Sequence, residues 1–437
     1  MIAPIVPPPA HTPVKAGRET LAVYGKAMEV NHLLNLPMIA KSSGVASWRA
    51  EFGDVPAVVV GAGPSLDSDI ELLRDLDSRA LVIATDRALK PMLDLGIAPH
   101  VVVSADMCVD LVDLYRGLTL PDDLVLLYDR DAYHPVVEAW PGHLLTYDTY
   151  FDTGIWSRTF LPRKGYLSKN LCVAHTAFYF AHLAGCTPII LTGVDNAFPS
   201  EYTHAKGASQ VDGGKVDPAH PSWITIPGVL GPVRSSRGFA AFARAFEVAR
   251  AACGAHLVST TPNGAVIEGA EWRTLSSALG EYAVADRGVS ERVREIMAQP
   301  IPMASLEAYD RQCEKVVKQL DDVVRIAGNG MMQLREAARV DHTRDPRKFC
   351  AKIIKADLCR MDLLKGRFVQ CLLGKMMYKT VFLIETRFQP EINSLKPGDP
   401  KRLWKEAACL ELLFVKEIEC ASAYKECLER ARVGLAS

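Results

Sequence analysis

Between Pro56 and Leu191, short apolar runs alternate with longer segments in which apolar residues recur at helical spacing. The runs are Ala57–Val60, Leu81–Ala84, Val101–Val103, Leu124–Leu127 and Pro188–Leu191. None alternates apolar with polar residues. An unbroken apolar, often β-branched run suits a strand covered on both faces, as in a parallel sheet. Each run ends at a glycine or polar corner, and segments such as Ser68–Leu76 and Arg87–Leu95 follow with helical periodicity. The pattern predicts an α/β fold, a doubly wound, Rossmann-like central domain over residues 55–285.

The texture differs on either side. Residues 1–15 are proline-rich and read as a loose tail, and residues 16–53 as helical, together an N-terminal segment over 1–54. Beyond Gln299-Pro300-Ile301-Pro302 no strand run occurs. Tyr309–Ala327, Arg347–Phe388 and Pro400–Arg432 read as long amphipathic helices, with breaks at His342–Pro346 and Ser394–Pro400. They predict an all-α C-terminal domain over 300–437.

Composition narrows the function classes. A chain of 437 residues that is 49% hydrophobic and 23% charged is globular, not disordered. Its formal charge of −1 provides no basic field for nucleic acid. The residues from Ala304 onward carry 25 Lys and Arg against 19 Asp and Glu. That excess reads as a solvated helical face or as a docking surface for an acidic protein. The 11 cysteines include no CxxC, which suggests thiols in a reducing compartment. The N-terminus lacks the basic and apolar regions of a secretory signal. The most apolar window, Leu171–Ile190, is interrupted by His175, His182 and Pro188, so no membrane span is expected. These features predict a cytoplasmic protein.

In a doubly wound sheet, ligands bind where strands end at their carboxyl edge, so the corners carry the chemistry. The first is Gly61-Ala62-Gly63-Pro64-Ser65-Leu66. Its glycines let a phosphate approach the backbone, and a helix start offers free N–H groups to an anion. The third glycine of a dinucleotide fingerprint is replaced by Leu66, and no Walker Lys follows. The corner therefore suits a nucleotide or phosphate other than NAD or P-loop ATP, or is only a tight strand–helix turn. Later corners hold Thr85-Asp86-Arg87, Ser104-Ala105-Asp106, Asp129 and Thr192-Gly193-Val194-Asp195-Asn196. Each Asp alone could cap a helix. Four at one edge could bind ribose hydroxyls, base amines or a divalent cation. In the loop Glu201–Ala208, His204 is the general-base candidate. His175 and His182, on an apolar helix without acidic partners, read as packing residues.

This series resembles a known family. Gly61–Leu66, Ala84–Leu93, Val102–Asp106, the Ser168–Gly185 helix, Leu191–Asp195, Tyr202-Thr203-His204-Ala205 and Asn263–Gly269 follow the order found in the motility-associated factor (Maf) glycosyltransferases. These share a domain with MptE-like pterin pyrophosphokinases, and their core is similar to bacterial sialyltransferases. The resemblance implies transfer of a nonulosonic acid from a CMP-activated donor to Ser or Thr of a protein acceptor, flagellin in that family. It implies no required cofactor, although Mg²⁺ is compatible with it. Carried onto this chain, His204 and Asp195 would be catalytic. Gly61, Gly63, Pro64 and Ser65 would hold the CMP phosphate. Asp86, Ser104, Asp106, Thr192, Gly193 and Tyr202 would contact nucleotide or sugar, and Ser168 and Asn170 the sugar carboxylate or phosphate. Val194 and Asn196 stand where the family usually has Gln and Leu, a departure bearing on donor selectivity. Two other readings remain open. One is a Mg²⁺-dependent 6-hydroxymethylpterin pyrophosphokinase, with Asp86, Asp106 and Asp195 at the metal. The other is a protein that binds nucleotide-sugar or flagellin without turnover.

Overall fold

The computed structural model describes residues 15–107, 111–149, 152–168, 171–208, 217, 223–396 and 399–436. All five apolar runs are strands of one parallel sheet. In chain order its strands are β1 (Ser43–Gly44), β2 (Ala57–Val60), β3 (Leu81–Thr85), β4 (Val101–Ser104), β5 (Val125–Tyr128), β6 (His143–Thr146) and β7 (Ile189–Thr192). A separate antiparallel hairpin comprises β8 (Trp223–Ile226) and β9 (Val233–Ser236). The sheet is completed by β10 (Leu257–Ser259) and β11 (Glu271–Trp272). Its order is β1-β6-β5-β4-β3-β2-β7-β10-β11, and every pairing is parallel.

Burial on both faces explains the unbroken runs. Ala57 and Val59 point into one core with Trp48, Phe52, Phe178, Phe180 and Phe246. Val58 and Val60 point into a second core with Leu66, Val82 and Met92. A polar residue at any of these strand positions would lose its water without gaining a partner.

The topology fixes the place of the site. From β2 the chain runs outward through β3, β4, β5 and β6, then returns to the other side of β2 with β7. The order reverses between β2 and β7, the point at which doubly wound sheets hold a crevice at their carboxyl edge. The helix Val173–Leu183 leads back to β7. It begins five residues after Ser168, where the sequence reading had started it. Cys172 Sγ lies 2.9 Å from His175 Nδ1, and His175 Nε2 pairs with the Phe242 carbonyl at 3.0 Å. His175 also stacks on Phe246. It is a satisfied core histidine, as expected.

The described chain divides into two units. One comprises residues 41–149 and 162–303 and contains the sheet. The other contains the described residues up to Ala40, the 152–161 stretch and the helices from Ala304 onward. The sequence reading had instead set residues 1–54 apart from the tail. The second unit is helical: Lys15–Leu34, Leu306–Ala338, Pro346–Lys365, Arg367–Leu383 and Pro400–Ala436. The stretch expected as one helix from Arg347 to Phe388 is divided at Gly366 and ends in a π-helical turn, Ile384–Phe388. Inside this unit Tyr309 OH donates to the Leu428 carbonyl at 2.6 Å, which ties the helix Leu306–Ala338 to Pro400–Ala436. No described helix is long and apolar enough to cross a membrane.

Candidate active site at the carboxyl edge

The glycine corner after β2 docks onto the corner after β7. Gly61 N donates to the Thr192 carbonyl at 2.8 Å and Gly63 N to the Gly193 carbonyl at 2.7 Å. Ser65 N donates to Asp195 Oδ2 at 3.0 Å. The approach is so close that only glycine fits. A Cβ on Gly63 would lie 2.2 Å from Asp195 Oδ2, and one on Gly61 would lie 2.4 Å from the Gly193 carbonyl oxygen. Gly193 itself has φ +64°, in the left-handed region that glycine adopts without strain. The glycines thus serve loop-to-loop packing, and these three amides are already engaged.

Asp195 is buried, and burial is the main cause that raises its carboxyl above the ordinary range. Its Oδ2 holds the Ser65 amide, while its buried Oδ1 has no partner. Ser65 Oγ beside it is likewise buried and, among the described residues, completes no hydrogen bond of normal geometry, though its hydroxyl helps hold the Asp195 carboxyl down. Thr192 Oγ1 donates to Asp69 Oδ2 at 3.3 Å. Asn196 adopts φ +49°, and its buried Nδ2 makes no hydrogen bond. The β8–β9 hairpin braces this corner: Ser235 Oγ donates to the Asn196 carbonyl at 2.8 Å, and Phe198 N donates to the Arg234 carbonyl at 2.8 Å.

On the other side of β2 stand Asp86 and Ser104. Asp86 opens the helix Asp86–Asp94, and its Oδ1 accepts the Arg87 amide at 2.8 Å. Its Oδ2 is buried without a partner. Burial, and then the charge of Asp106, push this carboxyl up to about 7. Ser104 Oγ and Tyr115 OH are buried neighbours, yet neither completes a hydrogen bond of normal geometry. Asp106 stands exposed at the rim.

The loop carrying His204 is tied to the glycine corner. Ala205 N donates to the Ala62 carbonyl at 2.9 Å and Lys206 N to Asp67 Oδ1 at 2.8 Å. His204 is half-buried, with Nδ1 2.8 Å from Thr203 Oγ1. When Nδ1–H is donated to that hydroxyl, Nε2 is left as the acceptor, the tautomer a base needs. Burial first, and the Arg87 charge second, lower the imidazole to about 4, so it is neutral at neutral pH.

The fold therefore brings Gly61, Gly63, Pro64, Ser65, Thr192, Gly193, Asp195 and His204 together across β2 and β7, with Asp86, Ser104 and Asp106 on the adjoining strand ends. Tyr202 lies in the same loop as His204 but is exposed, and Ser168 is exposed too. Asn170 lies outside the described residues. Asp129 leaves the group of four: its Oδ2 accepts Tyr147 OH at 2.9 Å and its Oδ1 accepts the Asp131 amide at 3.0 Å. Next to it, Arg130 Nη2 donates to Asp148 Oδ1 at 2.5 Å, both side chains fully buried. Sequence reasoning missed this pair, since nothing in the spacing signals it. It also gave no role to Tyr115, Ser235 or Arg87. Only Arg87, adjacent to a singled-out Asp, was within its reach.

A Mg²⁺ ion would find Asp86 Oδ2 and Asp195 Oδ1 as carboxylate oxygens without a hydrogen bond among the described residues, just past the ends of β3 and β7 on either side of β2. Among the described residues no three His, Cys, Asp or Glu side chains converge to hold a metal.

Comparison with known proteins agrees with the architecture. The family described as 6-hydroxymethylpterin diphosphokinase MptE-like matches residues 30–201. That span contains the glycine corner, Asp86, Ser104, Asp106 and Asp195, and ends just before His204. The structure is similar to that of a Maf glycosyltransferase from Magnetospirillum magneticum AMB-1, with a TM-score of 0.55 and 15% sequence identity. The match covers 94% of this chain and 61% of that one, so this chain spans about three fifths of the relative's length. At that identity the likeness establishes a common fold. No curated protein matches the chain.

Proposed function

From the premise that this chain carries an MptE-like domain over residues 30–201 and shares the fold of a Maf glycosyltransferase, we propose that it is a nucleotide-sugar-dependent glycosyltransferase. The observation that carries the reading is a row of buried polar atoms along one sheet edge that complete no hydrogen bond of normal geometry among the described residues: Asp86 Oδ2, Ser104 Oγ, Ser65 Oγ, Asp195 Oδ1 and Asn196 Nδ2. Buried polar groups left unmade cost about 1–3 kcal/mol each. A ligand with many hydroxyl and amine groups offsets that cost, and a nucleotide-sugar is such a ligand.

The proposed donor is a CMP-activated nonulosonic acid, and the proposed acceptor a Ser or Thr hydroxyl of a protein such as flagellin. The hydroxyl oxygen attacks the anomeric carbon, the bond from that carbon to the phosphate oxygen breaks, and CMP leaves. His204 Nε2 takes the hydroxyl proton. Asp195 holds the glycine corner in place through Ser65 N and offers Oδ1 to the donor. The helical residues from Ala304 onward are the candidates for holding the acceptor protein, whose orientation lowers the barrier.

Calorimetric titration with CMP and with ATP, each in Mg²⁺ and in EDTA, tests the reading. CMP binding that survives EDTA supports it. Transfer from a CMP-nonulosonic acid to flagellin, lost in His204→Ala, establishes it. A second reading is favoured by the description of the matching family: diphosphate transfer from ATP to 6-hydroxymethylpterin. Binding of ATP alone, only with Mg²⁺, and release of AMP in the presence of that pterin would put it first. An adaptor without turnover would retain its function in His204→Ala.

A further inference from the structure

Arg87 has no part in the reading above, yet it stands at the strand end that carries Asp86. Its side chain is half-buried in the first turn of the helix Asp86–Asp94. Among the described residues its guanidinium makes neither a hydrogen bond nor an ion pair. Its helix follows β3 directly, β3 pairs with β4, and the Arg87 charge is felt by Asp86, Asp106 and His204. Two buried polar atoms without partners stand on those same strand ends, Asp86 Oδ2 and Ser104 Oγ.

The glycine corner, by contrast, is poorly placed to receive an anion. The amides of Gly61, Gly63 and Ser65 are donated to Thr192, Gly193 and Asp195. The acceptor facing Gly63 is the Asp195 carboxylate itself. A phosphate there would have to displace these bonds and approach a carboxylate.

We propose that Arg87, with Ser104 Oγ on the adjoining strand end, is the receptor for the donor's phosphate, and that the Gly61–Ser65 corner shapes the crevice without gripping the anion. The inference rests on the nucleotide-sugar reading. A planar guanidinium with unspent donors matches a phosphate bidentately, and the charge-assisted bonds are the strong ones. Asp86 does not oppose this, because burial keeps its carboxyl partly protonated near neutral pH, able to donate to a phosphate oxygen.

The test compares cytidine with CMP by calorimetry in EDTA, on the full chain and on Arg87→Gln, Arg87→Lys and Ser104→Ala. The wild type is expected to prefer CMP over cytidine by about ten- to a hundredfold, the worth of a charge-assisted contact. Arg87→Gln abolishes that preference while cytidine binds as before, which also shows that the site is folded. Arg87→Lys and Ser104→Ala keep part of it. A CMP preference that survives in Arg87→Gln overturns the assignment, as does a wild type that binds cytidine and CMP alike. If the wild type binds neither, the nucleotide reading itself falls, and that outcome needs no variant to be recognised.

Discussion

Asp86→Asn isolates the cost of burying a carboxylate at the ligand edge. Asp86 is 5% exposed, its Oδ2 has no partner, and burial holds its carboxyl at about 7. In the unfolded chain an Asp titrates near 3.9. Between those values the unfolded chain has released the proton while the folded one keeps it. Folding then takes up a proton, so stability is present at low pH and is lost as pH rises through the window. A shift of roughly three units at about 1.4 kcal/mol each amounts to about 4 kcal/mol above pH 7. Asn keeps the acceptor for the Arg87 amide and has no proton to lose. Urea unfolding of both proteins, followed by far-ultraviolet circular dichroism between pH 5 and pH 8, measures the difference. The variant should be the more stable one at pH 8, and its advantage should grow by about 3 kcal/mol from pH 5 to pH 8. An advantage that does not change with pH, or a variant less stable throughout, would refute the reasoning. A gain would mark Asp86 as a residue kept at a stability cost for binding.

Gly63→Ala should lower the melting temperature. Its Cβ collides with Asp195 Oδ2, and overpacking with loss of the Ser65 bond costs about 2–5 kcal/mol. Adding Asp195→Ala should recover part of that loss, so strict additivity in the double-mutant cycle would count against the contact. Asp148→Ala removes the carboxylate that neutralises the buried Arg130 guanidinium and should cost about 3–5 kcal/mol in urea unfolding. The His204 imidazole should titrate at higher pH in Arg87→Gln than in the wild type, since that charge lowers it. A His204 ring resonance followed by NMR reports the shift, and an unchanged titration would remove Arg87 from its surroundings. Thr203→Val should lower transfer kcat by about three- to tenfold through loss of one neutral hydrogen bond that orients the ring, with KM little changed.

Much of the architecture was legible along the chain because its causes are local. Strands β2, β3, β4, β5 and β7 are runs of four or five buried residues, each covered on both faces, so the sequence is continuously apolar there. The strands that went unread are different. Ser43–Gly44 and Glu271–Trp272 have two residues each and sit at the sheet's edges, Leu257–Ser259 has only three, and the four-residue strands His143–Thr146, Trp223–Ile226 and Val233–Ser236 are only partly buried and mix polar with apolar residues. Segments so short borrow their conformation from a neighbour and carry little periodicity of their own. The helix break at Gly366 and the placement of Lys15–Leu34 in the helical unit depend likewise on packing partners distant in sequence.

At the site, the residue types and their common edge followed from the sequence, because parallel strands must deliver their following residues to one side. The partners did not. Asp129 and Asp195 each follow a strand, yet one is consumed by Tyr147 and the Asp131 amide while the other keeps an oxygen free in the crevice. The glycine corner looks like an anion cradle in one dimension, but its amides meet acceptors from a loop about 130 positions away. Arg87 sits in plain view beside Asp86, and only the tertiary structure leaves its guanidinium without a hydrogen bond or ion pair among the described residues. Local patterning determines which backbone each residue adopts. Which polar atoms are already satisfied, and so which remain for a ligand, is decided where distant segments close upon one another and exclude water.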